Sequence, residues 1–348
     1  MSTPQKILII RFSSIGDIVL ATPLLRVMRA GFPSAQIDFV VRKEYGELVR
    51  YNKNLSHVYE FDAQTGTPGL RILADQLRSE QYDLVVDIHN SMRSRYLRAH
   101  LGVKNLVSID KRVVARTLLV KFKKNIYRDV VSVSDRYIEP VKIFGIRNDN
   151  AGLELHIPGD LRASAARSMA AAGIDLNKKT IGFCPSAKHA TKCWQVERFK
   201  QLGARLVKDL NAQILIFGGP DDRDKCFSIA KAINSMTAQK CAADLSAELS
   251  LLETASALSI CNVVVTNDSG LMHIAAAMKR NIVALFGSTV REFGFFPVGT
   301  RSIVLERIDL PCRPCSHIGL DSCPKKHFKC MKDIEVDEVY NSVLSLSS

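Results

Sequence analysis

Short apolar runs of strand length alternate with longer segments of helical periodicity along most of this 348-residue chain. Apolar runs of roughly four to eight residues between turn signals indicate buried strands, whereas recurrence every three or four residues indicates helices. Regular alternation of the two predicts parallel sheets covered by helices. The expected strands are Lys6–Arg11, Gln36–Val41, His57–Phe61, Leu84–Asp87, Leu106–Ile109, Thr180–Cys184, Gln213–Phe217, Asn262–Thr266 and Ile282–Phe286.

Turn residues near the middle of the chain separate two such α/β units. Asp149, Asn150 and Gly152 are followed by the turn-forming Pro158-Gly159-Asp160. The length suits two domains of ordinary size. We therefore expect one Rossmann-like domain over residues 1–155, a second over 156–331, and a last helix in 332–348.

Composition points to a globular protein without a membrane span. Hydrophobic residues make up 47% of the chain, and no stretch of about 20 apolar residues lacks a charge or a breaker. The N-terminus does not resemble a signal peptide, because Lys6 and Arg11 flank only a short apolar run and Asp17 interrupts the next. The sequence predicts a cytoplasmic location.

The net charge of +13 is distributed unevenly. Between Arg93 and Arg128 there are eleven Lys or Arg residues and one acid, Asp110. A solvated basic face, an anionic acceptor, an anionic membrane surface and a nucleic acid are all compatible with this charge. Nucleic acid is the least favoured partner, because the segment has few aromatic residues and no recognition motif.

A polar loop follows the first expected strand and carries a carboxylate. It reads Phe12-Ser13-Ser14-Ile15-Gly16-Asp17 and leads into a helix. Asp17 is thereby placed at the carboxyl end of a strand, where open α/β sheets bind ligands, although capping the helix is the alternative role. The loop matches neither a Walker A motif nor Gly-x-Gly-x-x-Gly, which disfavours a dinucleotide oxidoreductase.

A second strand-to-helix turn predicts an anion site. The apolar run Val263–Val265 leads into Asp268-Ser269-Gly270 and a helix of small residues. Asp and Ser are good N-caps, Gly permits close approach of a ligand, and the helix N-terminus favours a pyrophosphate. His273 lies one helical turn further on the same face. The alternatives are an ordinary capped helix and a buried, hydrogen-bonded histidine.

Further candidate ligand groups follow three other strands. Lys192 could pair with a pyrophosphate, with Ser186 and Thr191 as additional phosphate or sugar contacts. The pair Gly218-Gly219 permits either close approach of a ribose or a tight turn. Arg93 and Arg95 follow Leu84–Asp87 and could hold an acidic group by a forked contact, or could simply lie on a helix surface.

Four of the nine cysteines form one cluster: Cys312, Cys315, Cys323 and Cys330. Four thiolates at such spacing can enclose a tetrahedral ion, which would be structural zinc or iron. A reduced, metal-free loop is an equally open interpretation.

The ordered set of these motifs resembles glycosyltransferase family 9, the ADP-heptose:lipopolysaccharide heptosyltransferases. The resemblance rests on Arg11–Asp17, Phe32-Pro33 with Ile37–Val41, Lys192-Cys193-Trp194, Asn267–His273, Ala284–Thr289 and Cys330-Met331. It implies the GT-B architecture, in which two Rossmann-like domains face a cleft and the last helix packs back on the first domain. It also implies an ADP-heptose donor and a phosphorylated, Kdo-bearing lipid acceptor. Some relatives that modify proteins hold iron with four cysteines.

The resulting prediction is an inverting heptosyltransferase that acts on the lipopolysaccharide inner core in peripheral contact with the inner membrane. Asp17 is the expected base, and Lys192 with the turn at Asp268–Gly270 would stabilise departing ADP. Ser13, Ser14 and Gly16 are assigned to the acceptor side with Arg93 and Arg95. No Asp-x-Asp motif stands near the nucleotide loops, so no cofactor is expected for catalysis. The alternatives are a GT-B transferase with another nucleotide sugar or a protein acceptor, and a non-catalytic basic protein at the membrane surface.

Overall fold

The computed structural model describes residues 3–175 and 177–347. The chain divides into two compact units, each built around one parallel sheet. The first unit comprises Met1–Val113 and Val131–His156, and the second comprises Val114–Val130 and Ile157–Ser348. The fold is therefore α/β with two Rossmann-like sheets, as predicted.

The first unit contains a five-stranded parallel sheet of order β3-β2-β1-β4-β5. Its strands are β1 Lys6–Ile10, β2 Gln36–Arg42, β3 His57–Phe61, β4 Leu84–Asp87 and β5 Asn105–Ser108. The helices of this half of the chain are α1 Ile15–Leu20, α2 Thr22–Gly31, α3 Glu47–Arg50, α4 Gly66–Ser79, α5 Met92–Leu101, α6 Val113–Phe122 and α7 Val133–Ile138.

Proline residues lie at two points where helical segments of the first unit are divided. Pro23 stands in the first turn of α2, where its missing N–H costs nothing, and α1 and α2 are separated at Ala21. Pro140 follows α7, and the chain continues as a 3₁₀ helix over Glu139–Phe144.

The second unit contains a six-stranded parallel sheet of order β11-β10-β9-β6-β7-β8. Its strands are β6 Thr180–Cys184, β7 Gln213–Ile216, β8 Ala242–Asp244, β9 Val263–Asn267, β10 Asn281–Phe286 and β11 Ser302–Glu306. The helices are α8 Gly159–Ala171, α9 Val196–Leu210, α10 Arg223–Thr237, α11 Leu251–Leu258, α12 Gly270–Ala277, α13 Lys329–Lys332 and α14 Val336–Ser347. The periodicity did not predict the two edge strands β8 and β11.

Two segments pack within the second unit. Residues 114–130, expected in the first domain, cluster with the second unit, where Lys123 Nζ donates to the carbonyls of Cys312 (3.1 Å) and Pro314 (2.6 Å). The last helix also packs within the second unit. Its Val339 and Val343 are fully buried in that core, and Tyr340 Oη donates to Asp209 on α9 at 2.9 Å.

Among the residues described, no helix combines the length and the apolar character that crossing a membrane would require.

Candidate functional site

The carboxyl end of β1 carries a buried network around Asp17. Ser14 is the N-cap of α1 and Asp17 lies in its first turn. Oδ1 of Asp17 accepts the Tyr137 hydroxyl at 2.9 Å and lies 2.8 Å from Nη2 of Arg11. Oδ2 accepts the Ser14 hydroxyl at 2.9 Å and the Ser14 amide at 3.3 Å. Both carboxylate oxygens are thus engaged, and the side chain is 18% exposed.

The electrostatic balance keeps Asp17 ionised. Burial raises its pKa, but the Arg11 charge and the hydrogen bonds from Ser14 and Tyr137 outweigh burial and hold the pKa below its ordinary value. Burial raises the pKa of Tyr137 well above its ordinary value, so this phenol remains a donor. A carboxylate held in this way is a well-oriented anion of low basicity.

The other residues predicted in this loop have supporting positions. The Ser13 carbonyl accepts Nε of Arg11 at 2.6 Å, and Gly16 is buried in the first turn of α1. Ser14 is exposed, unlike Gly16. The loop therefore presents the Ser14 hydroxyl, with the Asp17 carboxylate behind it, to solvent.

His89 lies next to this network at the carboxyl end of β4. Its ring packs edge-on against Phe12, with 5.7 Å between centroids, and its Nδ1 is buried without a hydrogen-bond partner. Burial first, and then the positive charges of Arg11 and Lys111, lower its pKa to about 3. The imidazole is therefore neutral at physiological pH.

The two predicted acceptor-side arginines lie at the start of α5. Arg93 and Arg95 are both exposed in its first turn. Nε of Arg95 donates to the Asn90 side chain at 3.1 Å. Their exposure is compatible with either binding an anion or lying on a solvated helix surface.

In the second unit, Asp268 contacts Lys192 and Thr289, so that side chains from three loops meet. Its Oδ2 lies 2.7 Å from the Lys192 ammonium and accepts the Thr289 hydroxyl at 2.7 Å. Lys192 follows β6, Asp268 follows β9 and Thr289 follows β10, so all three lie at the carboxyl edge of the sheet. The sequence predicted Lys192 and Asp268 separately, and the structure joins them in a largely buried ion pair.

The turn at the start of α12 has the predicted form. Ser269 is the N-cap in an extended conformation, and Gly270 begins the helix. No hydrogen bond from the backbone reaches the Ser269 side chain as a cap. His273 is 2% exposed, with its ring 6.4 Å from that of Phe295. The amides of the first turn form the dipole end that favours anions.

Three predicted contacts have structural partners within the protein. The Thr191 hydroxyl donates to Ser288 at 3.0 Å and accepts the Leu320 amide at 2.8 Å. The Ser186 hydroxyl accepts Nζ of Lys225 at 2.9 Å, which adds a cation that the sequence patterns did not indicate. A Cβ on Gly218 would lie 2.8 Å from Cβ of Asp222, so close packing of the turn requires this glycine.

The cysteine cluster does not form the predicted metal site. Across residues 3–175 and 177–347, no three His, Cys, Asp or Glu side chains are arranged to hold a metal ion. Cys312 Sγ lies 3.7 Å from Nε2 of His327, and Cys315 Sγ donates to the Cys312 carbonyl at 3.3 Å. Cys330 is buried on α13, where burial raises its pKa to about 11.

Comparisons with known proteins agree with this architecture. The sequence profile described as "Glycosyltransferase family 9 (heptosyltransferase)" matches residues 70–326. Lipopolysaccharide heptosyltransferase 2 of Escherichia coli (strain K12) is 25% identical over 312 residues, which cover 83% of this chain and 84% of that protein.

Solved structures give the same result for the fold. The glycosyl transferase family 9 structure from Veillonella parvula DSM 2008 has a TM-score of 0.82 at 24% identity, covering 99% of this chain and 97% of that one. The structure of E. coli ADP-heptose lps heptosyltransferase II has a TM-score of 0.74 at 22% identity, covering 98% of each chain. The fold is therefore that of the GT-B heptosyltransferases. Since the family profile matches most of the sequence, the chain belongs to glycosyltransferase family 9.

Proposed function

We propose that this enzyme is an inverting heptosyltransferase that moves heptose from ADP-heptose to the lipopolysaccharide inner core. The observation that carries the proposal is the Lys192–Asp268 ion pair at the carboxyl edge of the second sheet, beside the N-terminus of α12. This edge is where open α/β sheets bind nucleotides. The proposal for the sugar and the acceptor rests on the relatives, whose names describe lipopolysaccharide heptosyltransferases.

In this proposal, the second unit binds the donor and stabilises the leaving group. Negative charge grows on the diphosphate as the bond from the anomeric carbon to the phosphate oxygen breaks. Lys192 supplies a positive charge, and the amides at Ser269 and Gly270 supply fixed dipoles. Preorganised groups of this kind lower the barrier because they need no reorientation during the reaction. Ser186, Thr191, Gly218 and His273 are proposed to shape the surrounding surface.

Asp17 in the first unit is proposed as the general base. The Ser14 hydroxyl occupies Oδ2 of Asp17 in this structure. We propose that the acceptor hydroxyl replaces it, so that Oδ2 takes the proton as the acceptor oxygen bonds to the anomeric carbon. Arg11 and Tyr137 hold Oδ1 and thereby set the direction of Oδ2. Attack on the face opposite to ADP inverts the anomeric configuration.

The acceptor is proposed to be anionic and attached to a membrane lipid. Arg93 and Arg95 are exposed at the start of α5. Val114 and Phe122, each 70% exposed, accompany the exposed Lys121 on α6. Exposed apolar side chains beside cations suit the surface of an anionic bilayer. This supports peripheral contact with the cytoplasmic membrane face.

A transfer assay with purified protein tests the proposed function. The donor panel contains ADP-heptose, ADP-glucose and a UDP-sugar, and the acceptor is a Kdo-bearing lipid A. We expect release of ADP and a mass increase of one heptosyl unit with ADP-heptose alone. Turnover with a different donor, or transfer to a protein but not to the lipid, would contradict the proposal.

A further inference from the structure

Arg313, which stands between two of the clustered cysteines, is a buried cation with four hydrogen bonds. Its side chain is 2% exposed. Nε donates to the Gly287 carbonyl at 2.6 Å, and Nη2 donates to the Thr289 carbonyl and to Oε2 of Glu306, each at 2.7 Å. Nη1 donates to the Arg307 carbonyl. Such a charge is tolerated in the interior because it is paired and its donors are used.

These bonds hold the loop that follows β10. Two residues of this loop, Gly287 and Thr289, give their carbonyls to Arg313. The loop also lies directly against the loop after β6, since a Cβ on Gly287 would be only 2.6 Å from the Thr191 carbonyl oxygen. Cys315 contributes another link, because its amide donates to the Ser288 carbonyl at 3.1 Å. The cysteine-bearing loop therefore braces residues 287–289.

The braced loop leads directly to the proposed donor site. Thr289 offers its carbonyl to Arg313 and its hydroxyl to Oδ2 of Asp268. The same Oδ2 lies 2.7 Å from the Lys192 ammonium. Thr289 therefore links Arg313 to the carboxylate that pairs with Lys192.

We propose that Arg313 is a positioning residue for the donor site, which acts through Thr289 and Asp268 on Lys192. The inference rests on the proposed function, in which Lys192 contacts the diphosphate. It assigns a role to the cysteine-bearing loop that requires no metal ion. Arg313 itself touches neither Asp268 nor Lys192 through any of its hydrogen bonds.

Arg313→Lys tests this role. Lysine keeps the charge but lacks the planar set of donors that reaches the carbonyls of Gly287 and Thr289 and the carboxylate of Glu306. We expect about tenfold weaker ADP binding by calorimetry, the size of a loss of one well-placed charged contact. The donor KM should rise while the acceptor KM stays the same. All measurements are made at a temperature at which circular dichroism shows each variant to be folded.

Arg26→Lys is the matched control. Arg26 in the first unit also makes several charged contacts, with Asp149 at 2.6 Å and with Glu154 at 2.6 Å. We expect this variant to lose thermal stability but to bind ADP as the unmodified protein does. Equal weakening of ADP binding in both variants would show a general effect of destabilisation and would overturn the proposal.

A double-mutant cycle separates positioning from an independent contribution. Thr289→Val removes the hydroxyl through which Arg313 is proposed to act. Once it is present, adding Arg313→Lys should weaken ADP binding little further, because coupled residues are not additive. If the loss of ADP affinity in the double variant equals the product of the losses in the two single variants, the proposal is overturned. Glu306→Gln removes the charged partner of Arg313 but leaves the arginine in place. It should weaken ADP binding about threefold, again through Thr289 and Asp268, and it replaces Arg313→Lys as the test if that variant does not fold.

Lys192→Ala distinguishes failure of this inference from failure of the proposed function. If Lys192→Ala weakens ADP binding and the Arg313 and Glu306 variants do not, the donor site stands and the positioning role is wrong. If Lys192→Ala leaves ADP binding unchanged, the donor site itself is wrong and the positioning role falls with it.

Discussion

The Lys192 ammonium lies 2.7 Å from Oδ2 of Asp268, the oxygen that also accepts the Thr289 hydroxyl. The lysine is 14% exposed and the carboxylate 6% exposed, so solvent screens the pair little. In the proposed donor site, an incoming diphosphate would share Lys192 with Asp268 rather than meet a free cation. Removing one partner of this ion pair should therefore leave the other partner's charge uncompensated.

Lys192→Ala should weaken ADP binding strongly. The substitution removes a charged contact worth about 1.5–3 kcal/mol and leaves the Asp268 carboxylate uncompensated beside the diphosphate. Calorimetry with ADP measures the effect. Lys188→Ala, at an exposed position in the same loop, removes an equal charge and should change the affinity little.

Asp17→Asn should keep the fold and ADP binding but lose turnover. The amide retains the shape of the side chain but cannot accept the proton of the acceptor hydroxyl. Loss of a general base lowers the rate by roughly 10²–10⁴. The kcat for heptose transfer is the measurement, with Asp224→Asn at an exposed position of α10 as the control. A near-normal kcat would exclude Asp17 as the base.

Tyr137→Phe should shift the acidic limb of the pH profile of kcat/KM upward. The Tyr137 hydroxyl is one of the groups that lower the pKa of Asp17, so its removal raises that pKa. The proposed base Asp17 acts as the anion, so the variant should lose activity at a higher pH than the unmodified enzyme as the solution is acidified. An unchanged acidic limb would mean that Asp17 does not control it.

His89 should make folding stability depend on pH below neutrality. Its pKa is about 3 when folded, against an ordinary value of about 6.5 in the unfolded chain. Between these values the unfolded chain binds more protons than the folded chain. The contribution of neutral His89 to the free energy of unfolding is therefore complete above about pH 6.5 and is lost as the pH falls toward 3. The slope is at most about 1.4 kcal/mol per pH unit. Denaturant unfolding at several pH values should show a smaller slope for His89→Gln.

Added salt should weaken binding of the acceptor more than binding of the donor. The exposed Lys121 and Lys124 contribute a positive field that is screened over about 8 Å at physiological ionic strength. The acceptor KM should therefore rise more steeply with salt than the donor KM. The double variant Lys121→Ser/Lys124→Ser should reduce that slope, and equal slopes for both substrates would count against a basic acceptor surface.

Local sequence patterns were sufficient to predict most strands of the two sheets and the loops at their carboxyl edges. Buried parallel strands such as β1 and β9 are continuous apolar runs, and their ends are marked by Ser, Asp and Gly. The edge strands β8 and β11 were not predicted, because β8 has three residues and β11 is only partly buried. Partial burial weakens the apolar signal on which such a prediction depends.

The sequence by itself determined which residue types stand at the strand ends: the carboxylates Asp17 and Asp268, the cation Lys192 and the turn at Ser269-Gly270. Tertiary structure alone decided their partners. Tyr137 reaches Asp17 from a distant helix, and Arg313 reaches the loop after β10 from the cysteine-bearing segment. Spacing along the chain carries no information about such contacts, because they join helices and loops that are far apart in the sequence and meet only in the folded structure. For the same reason, the spacing of four cysteines does not by itself establish a metal site, and no group of His, Cys, Asp or Glu suited to a metal ion is found among the described residues.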